Sequence, residues 1–245
     1  MYKITADYHT HTIFSHGKGT IEDNVIAARK KGLKKIVISD HGFRHIGIGI
    51  SIKDIDKIRK EIDRLNKKYN DIEILMGVEA NLIGLDGTID IPWNYIGAFD
   101  IILMGFHKAV YPASLKDGWT PFFRNGLVKI WPWDRDKLRR QNTEAMIRAI
   151  ERYPIRIITH PGAKIDIDTQ ELAKHAARKK VALEINSSHG YMTVEYVKIA
   201  MKEGAMFVIN SDAHHPSRVG NFDKGLKIAQ EAGLPAERII NAEKI

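Results

Sequence analysis

The sequence predicts an α/β fold made of parallel strand–helix–strand units. Seven short runs are rich in Ile and Val and mostly continuous in apolar character, as strands buried on both faces are: Ile4–Tyr8, Ile36–Ser39, Ile72–Val78, Asp100–Met104, Ile155–Thr159, Val181–Ile185 and Met206–Asn210. Segments of helical periodicity separate them, and that alternation is the signature of a parallel sheet with crossover helices. No Pro-, Gly- or Ser-rich linker and no repeat divides residues 1–245, so one domain is expected.

Taken in order, Ile4–Tyr8 leads through a loop to Thr20, which caps a helix with Glu22 and Asp23 in its first turn, Val25 and Ala28 inward, and a stop at Gly32. After the second strand, Ile55, Ile58, Ile62 and Leu65 mark the buried stripe of an amphipathic helix. The third and fourth strands follow. The rhythm then breaks over Tyr111–Trp133, an enlarged loop with Pro112, Pro121 and Pro132 and with Trp119, Trp131 and Trp133. So many aromatic side chains argue against simple disorder. The loop is expected to act as a lid with partial packing on another subunit, Arg124 or Lys129 reaching substrate. RDKLRR at 135–140 reads as the opening of a helix ahead of the fifth strand. Asp168 and Glu171 form a capping-box pattern before Leu172 and Ala176. Helices over Thr193–Lys202 and Asp223–Ala232 flank the last strand. Seven strands are one short of the standard eight-stranded barrel, and an open doubly wound sheet satisfies the same alternation.

Composition narrows the function. With 44% hydrophobic and 28% charged residues, the 245-residue chain is neither disordered nor fibrous. No apolar run approaches the ~18–20 residues of a membrane span. MYKITADYHT lacks a basic start followed by an apolar stretch, so no signal peptide is expected. The absence of cysteine excludes disulfides and thiolate metal sites and fits a cytoplasmic protein. The net charge of +8 would suit nucleic acid or small anions. Much of it, however, falls where helices end: Lys30, Lys31, Lys34 and Lys35 surround Gly32, and Arg178, Lys179 and Lys180 close another helix. Nucleic acid is therefore not the favoured partner.

Eleven histidines carry the functional argument. His9, His11 and His16 follow the first strand, His41 the second, Glu79 the third, His107 the fourth, His160 the fifth, and Asp212 and His214 the seventh. In a barrel or an open α/β sheet the carboxyl ends of the strands share one edge. A lone histidine there is usually a turn residue, and a lone carboxylate usually a helix cap. Seven histidines and two carboxylates at six strand ends are a different matter. Crowded imidazoles would repel one another if protonated, whereas divalent metal binds them neutral. Nine nitrogen and oxygen donors exceed what one catalytic zinc takes. Shared among three ions with one bridging carboxylate, they give each ion about three or four. Zn, Mn and Fe all suit such donors. A centre of that charge favours an anionic, oxygen-rich substrate, phosphate above all.

The motifs DYHTHTIFSHG, ISDHG, GVEANL, MGFH, ITHPG and NSDAHH resemble those of the PHP (polymerase and histidinol phosphatase) superfamily, and GVEANLIGLDGTIDI, MGFH and VALEINSS resemble its YcdX-type phosphatases. The resemblance covers the chain apart from Tyr111–Trp133. It implies a distorted seven-stranded (β/α)7 barrel, TIM-barrel-like, with a trinuclear site, usually zinc. It further implies a first ion at His9, His11, Glu79 and Asp212, a second at His16, His41 and His214, and a third at Glu79, His107 and His160, with Glu79 bridging. The expected activity is hydrolysis of a small phosphomonoester by metal-activated water, without a Ser or Cys nucleophile. Arg44, Lys164 and Arg218, in loops after strand ends, are candidate phosphate clamps. A nuclease or nucleotide phosphodiesterase and a histidinol-phosphate phosphatase are the alternatives. His175 is read as solvent-facing in mid-helix, and His45, His189 and His215 as loop residues near the mouth that bond to backbone, with substrate contact as the alternative. Asp40 either orients a liganding imidazole or serves as a helix cap or turn residue, and Glu184 and Asn186 either do similar work or satisfy local backbone.

Overall fold

The computed structural model of the protein describes residues 2–114 and 135–244. From residue 115 on, the expected lid segment, with Trp119, Trp131 and Trp133, lies outside the described residues. Strand β1 (Tyr2–Ile4) pairs antiparallel with the late strand β9 (Ala242–Lys244). The main sheet comprises β2 (Ala6–Thr10), β3 (Lys35–Ile38), β4 (Glu73–Asn81), β5 (Ile101–Gly105), β6 (Ile155–Ile158), β7 (Ala182–Asn186) and β8 (Met206–Asn210). All neighbouring pairs are parallel and the spatial order is the chain order. The sheet curls until β8 nearly meets β2: Tyr8 N donates to Asn210 Oδ1 at 2.9 Å, and His11 N to Ala213 O at 2.8 Å. It is a nearly closed seven-stranded barrel, not an open doubly wound sheet.

Helices α1 (Ile21–Lys30), α2 (Ile52–Lys68), α3 (Trp93–Ile96), α4 (Arg135–Arg152), α5 (Thr169–Lys179), α6 (Val194–Lys202) and α7 (Asp223–Glu231) intervene. Thr20 caps α1 through Asp23 N at 3.1 Å while Asp23 reaches back, and Asp168 caps α5 through Glu171 N at 3.1 Å. The four-residue stripe of α2 is fully buried, with Leu65 and Ile62 at 0% exposure. One large apolar cluster fills the layer between helices and strands.

The barrel interior is a much smaller cluster, Leu103, Ile157, Ala182 and Val208, flanked by Tyr8, Ile101 and Met206. Because side chains on a strand repeat every second residue, Thr159, Glu184 and Asn210 stand directly above Ile157, Ala182 and Val208. An apolar plug thus gives way, one step toward the carboxyl edge, to a buried polar layer. A polar layer this deep is costly unless its groups find partners, and its partners are the candidate site.

Two boundaries differ from the sequence reading. Ile4–Tyr8 spans two strands, broken at Thr5, whose N donates to Asn241 O at 2.9 Å, so that Tyr2–Ile4 joins a separate two-stranded sheet. His9 and Glu79, in consequence of longer strands, sit within β2 and β4 rather than after them.

Candidate metal centre

Each of the nine positions is delivered to the same edge by local structure. A register shift in β2 between Asp7 and Thr10 accompanies the inward placement of His9, which is fully buried. Past the strand, Asp40 accepts from Thr12 N at 2.7 Å, from Thr12 Oγ1 at 2.6 Å and from Ser15 Oγ. Asp40 therefore holds the turn that presents His16 and does not orient an imidazole. Gly105 keeps the space beside Glu79 open: a Cβ there would lie 2.4 Å from Thr159 Oγ1 and 3.1 Å from Glu79 Oε1. His160 and Asp212 are held at positive φ, 31° and 52°, the left-handed region that costs a non-glycine residue about 1–3 kcal/mol. His160 N donates to Glu184 Oε2 at 2.7 Å, one of the bonds that fixes this turn.

Glu79 is the centre of the arrangement. Its Oε2 lies 2.9 Å from His41 Nδ1, 3.4 Å from His9 Nε2 and 3.7 Å from His11 Nε2. Its Oε1 lies 2.9 Å from His160 Nε2 and 3.4 Å from His107 Nε2. Asp212 Oδ1 is 3.5 Å from His9 Nε2 and 3.4 Å from His11 Nε2. The imidazoles of His11, His16, His41 and His214 form a fourfold group, with His16 stacked on His41 at 4.8 Å and on edge to His214 at 4.1 Å. Three sets of donor atoms converge closely enough to hold an ion: His11, His16, His41 and His214; His9, His11 and Asp212; His41, Glu79 and His107. The structure thus brings all nine sequence-singled residues together, with His11 and His41 each standing between two sets.

The donor chemistry fits divalent cations. Burial, reinforced by neighbouring imidazoles, lowers His11, His16 and His107 to a pKa of about 4 and His41 to about 3, so these rings are neutral donors near neutral pH. Burial opposes charge on His9 as well, yet the carboxylates of Glu184, Asp212 and Glu79 outweigh it and hold this ring well above the usual value. Burial would raise Glu79 and Asp212, but the surrounding imidazoles overcome it and keep both carboxylates ionised. Even so, His11 Nδ1, His41 Nδ1 and Glu79 Oε2 are buried with no hydrogen-bond partner. The contact of His41 with Glu79 is close but misdirected for a hydrogen bond. Buried polar atoms are nearly always satisfied in native proteins, and cations are the natural partner for these.

A supporting layer holds the donors. Glu184, fully buried, takes His9 Nδ1 at 2.7 Å, His160 N at 2.7 Å, Asn186 Nδ2 at 2.9 Å and Asn210 Nδ2 at 2.9 Å. It orients an imidazole, one of the two roles open to it from sequence. Asn186 also donates to Asp212 Oδ2 at 3.0 Å. His107 Nδ1 meets Asn81 Oδ1 at 2.6 Å, and Asn81 in turn donates through Nδ2 to Asp90. Asn81 and Asp90 escaped the sequence reading, although Asn81 stands in the quoted GVEANL motif.

The remaining predicted residues scatter. Arg44 is exposed and its NH1 donates to Pro112 O at 2.8 Å, where it lines a surface cavity with Asp90, Trp93 and Tyr153. Arg218 is exposed in the short turn Pro216–Arg218. Lys164 follows the His160 turn, exposed, at a φ of 67°. His175 is not simply solvent-facing: its ring lies 3.0 Å from Glu171 Oε1 and 2.8 Å from Arg178 NH2. His215 accepts from Ser217 N at 3.2 Å, the backbone role expected. His45 and His189 lie beside the nine-residue cluster, the His45 ring 4.5 Å from that of His41 and His189 Nε2 3.2 Å from Asp212 Oδ2.

The family model for the PHP domain matches residues 7–194. A protein of Shewanella sediminis named "Probable phosphatase" is 33% identical over 98% of this chain and 90% of its own length. One of Aeromonas hydrophila with the same name is 32% identical, over 97% and 89%. Among solved structures, the histidinol phosphate phosphatase of Lactococcus lactis, complexed with zinc, L-histidinol and phosphate, superposes with a TM-score of 0.65 at 16% identity, over 94% of both chains. The barrel, the clustered donors and these matches lead to one conclusion: the chain belongs to the PHP-domain family and is a phosphoric-ester hydrolase.

Proposed function

We propose that the protein is a YcdX-type phosphatase that hydrolyses small phosphomonoesters at a centre of three divalent metal ions, zinc foremost, held by His9, His11, His16, His41, Glu79, His107, His160, Asp212 and His214. The observation that supports this best is Glu79, whose two oxygens face different groups of imidazoles and so can bridge two cations. Ions bound there supply Lewis acidity, which activates water and offsets the charge of phosphoryl oxygens. The chain's own residues do the rest. Glu184 and Asn81 fix the ring orientations of His9 and His107. The low proton affinities of His11, His16, His41 and His107 keep donors free for cations rather than protons. The buried apolar plug below excludes water from the floor. We further take residues 1–245 as one catalytic domain, with 111–133 as its enlarged loop, acting in the cytoplasm.

The test is reconstitution with Zn or Mn followed by elemental analysis and a phosphate-release screen that includes nucleotide monophosphates, histidinol phosphate and single-stranded DNA. About three ions per chain and release from monoesters are expected. Saturation at one ion per chain would defeat the trinuclear centre, and preference for DNA would replace the phosphatase by a nuclease.

A further inference from the structure

Two buried carboxylates, Glu184 and Asp90, support the metal cluster without belonging to its nine positions. Glu184 serves one half: it takes His9 Nδ1 and His160 N directly and reaches Asp212 through Asn186. Asp90 faces the other half, and among the described residues the two carboxylates share no hydrogen-bond partner. Asp90 Oδ1 accepts from Asn81 N at 2.8 Å; its Oδ2 accepts from Asn81 Nδ2 and, at 3.0 Å, from Arg44 N.

An ionised carboxylate can only accept hydrogen bonds, and that orders three groups in turn. Asn81 must turn its NH2 toward Asp90, so its Oδ1 faces His107. Against that oxygen, 2.6 Å away, His107 Nδ1 must carry the proton and donate. The lone pair is then left on Nε2, the nitrogen that looks toward Glu79 Oε1 at 3.4 Å. A cation between that lone pair and the carboxylate oxygen would be attracted to both.

A second arm of Asp90 reaches the turn after His41. His41 pairs with Glu79 across the strands, Gly42 N donates to Glu79 O at 2.9 Å, and two residues on Arg44 N donates to Asp90. The carboxylate fills the place where residue 42 would carry a side chain: a Cβ on Gly42 would lie 2.4 Å from Oδ1 and 2.5 Å from Oδ2. His41, Glu79 and His107 make up one of the three convergent donor sets, and Asp90 braces two of its three members.

We propose that Asp90 is a positioning residue that holds His41 and His107, and with them the cation position they form with Glu79, independently of the half that Glu184 holds. Each carboxylate governs its own part of the centre, so one ion can be weakened while the others stay. The proposal deepens the metal reading above, so one arm of its test uses protein stripped of metal.

Long-range proton–nitrogen NMR correlations assign the imidazole tautomers of metal-free wild type, Asp90→Asn, Gly42→Ala and Glu184→Gln. The spectra are taken at pH 8, above the value of about 6 to which burial raises the Asp90 carboxyl. Wild-type His107 should carry its proton on Nδ1. Asp90→Asn sets an amide NH2 against at least one of three donors, and Gly42→Ala displaces the carboxylate while keeping its charge. Both should shift the His41 and His107 resonances and leave those of His9 and His160 in place; Glu184→Gln should do the reverse. Chelator competition on zinc-loaded protein should then show one ion bound about 10–100-fold more weakly in Asp90→Asn and Gly42→Ala, the rest at wild-type strength. If Asp90→Asn does not fold, Gly42→Ala and the wild-type tautomer decide the matter. A wild-type His107 protonated on Nε2 overturns the proposal. Resonance shifts spread equally over both halves, or equal weakening of every ion, also overturn it, because Asp90 would then be a general prop of the fold. A wild type that takes up no zinc, while its His107 tautomer still follows Asp90, sinks the metal centre and leaves the positioning of the two rings standing.

Discussion

At the scale of single residues, the centre turns on Glu79, a carboxylate at the meeting point of five imidazoles. Glu79→Gln keeps the shape and removes the charge that, in the proposed centre, would let two cations sit close together. Turnover should fall at least about a hundredfold, with fewer ions retained per chain; near-wild-type hydrolysis would refute the bridging role. His175→Ala, whose contacts are with Glu171 and Arg178 on the helical surface, should leave turnover nearly untouched. Glu184→Gln exchanges one of two acceptor oxygens for a donor and leaves two of its four donors without a proper partner. Metal affinity measured by chelator competition should drop about 10–100-fold while the circular dichroism spectrum is unchanged; full affinity would show that His9 needs no orienting carboxylate. The nine positions were legible in the sequence because each lies close to a strand end, where parallel topology alone fixes the edge. Arg44 and His45 were not, because which of two adjacent residues faces inward depends on pairing with 109–111, more than sixty residues away.

At the scale of elements, the segment after β4 folds back on its own strand. Asp90 N donates to Asn81 O at 3.0 Å, and the Asp90 carboxylate accepts from Asn81 N at 2.8 Å and Arg44 N at 3.0 Å. Burial is the largest influence on Asp90 and raises its pKa to about 6, despite these donors. Between the unfolded value near 3.8 and about 6, the native state therefore holds the proton more tightly than the unfolded chain. Stability tied to Asp90 is fullest below that window and declines as pH rises through it, by an order of about 3 kcal/mol. Urea unfolding of wild type and Asp90→Asn at pH 4 and pH 7 checks this: the wild type should lose ground to the variant on going to pH 7. A difference that stays flat with pH would mean that the carboxyl is not held protonated. Helices were legible element by element, since caps and apolar stripes are local signals. The supporting amides and carboxylates were less so, because Glu184 and Asn186 look the same in sequence whether they serve a ring or their own backbone.

At the scale of the whole molecule, the polar layer above the apolar plug concentrates ionised carboxylates and imidazoles in a buried volume, an arrangement that cations stabilise. Chelation should therefore lower the melting temperature, and re-addition of Zn to about a hundred times its dissociation constant should restore about 2.7 kcal/mol per independent site. A melting temperature indifferent to chelator, with metal verified absent, would separate the fold from the centre. The seven-stranded count was readable from composition runs, but closure of the ring was not. Closure rests on Asn210 reaching Tyr8 and on Ala213 reaching His11, contacts between distant parts of the chain that no local pattern announces.

The seam between β2 and β8, fastened below by the pairing of Tyr2–Ile4 with Ala242–Lys244, also sets an order of assembly in time. Strands of the main sheet can add one after another as the chain leaves the ribosome, because every neighbour in the seven-stranded sheet is the next strand in sequence. The ring itself stays open until its last strand arrives. His9 and His11 are made about two hundred residues before Asp212 and His214, which complete their surroundings. The nascent protein accordingly carries an unfinished donor set from the making of His9 until Asp212 and His214 emerge, and their arrival completes it.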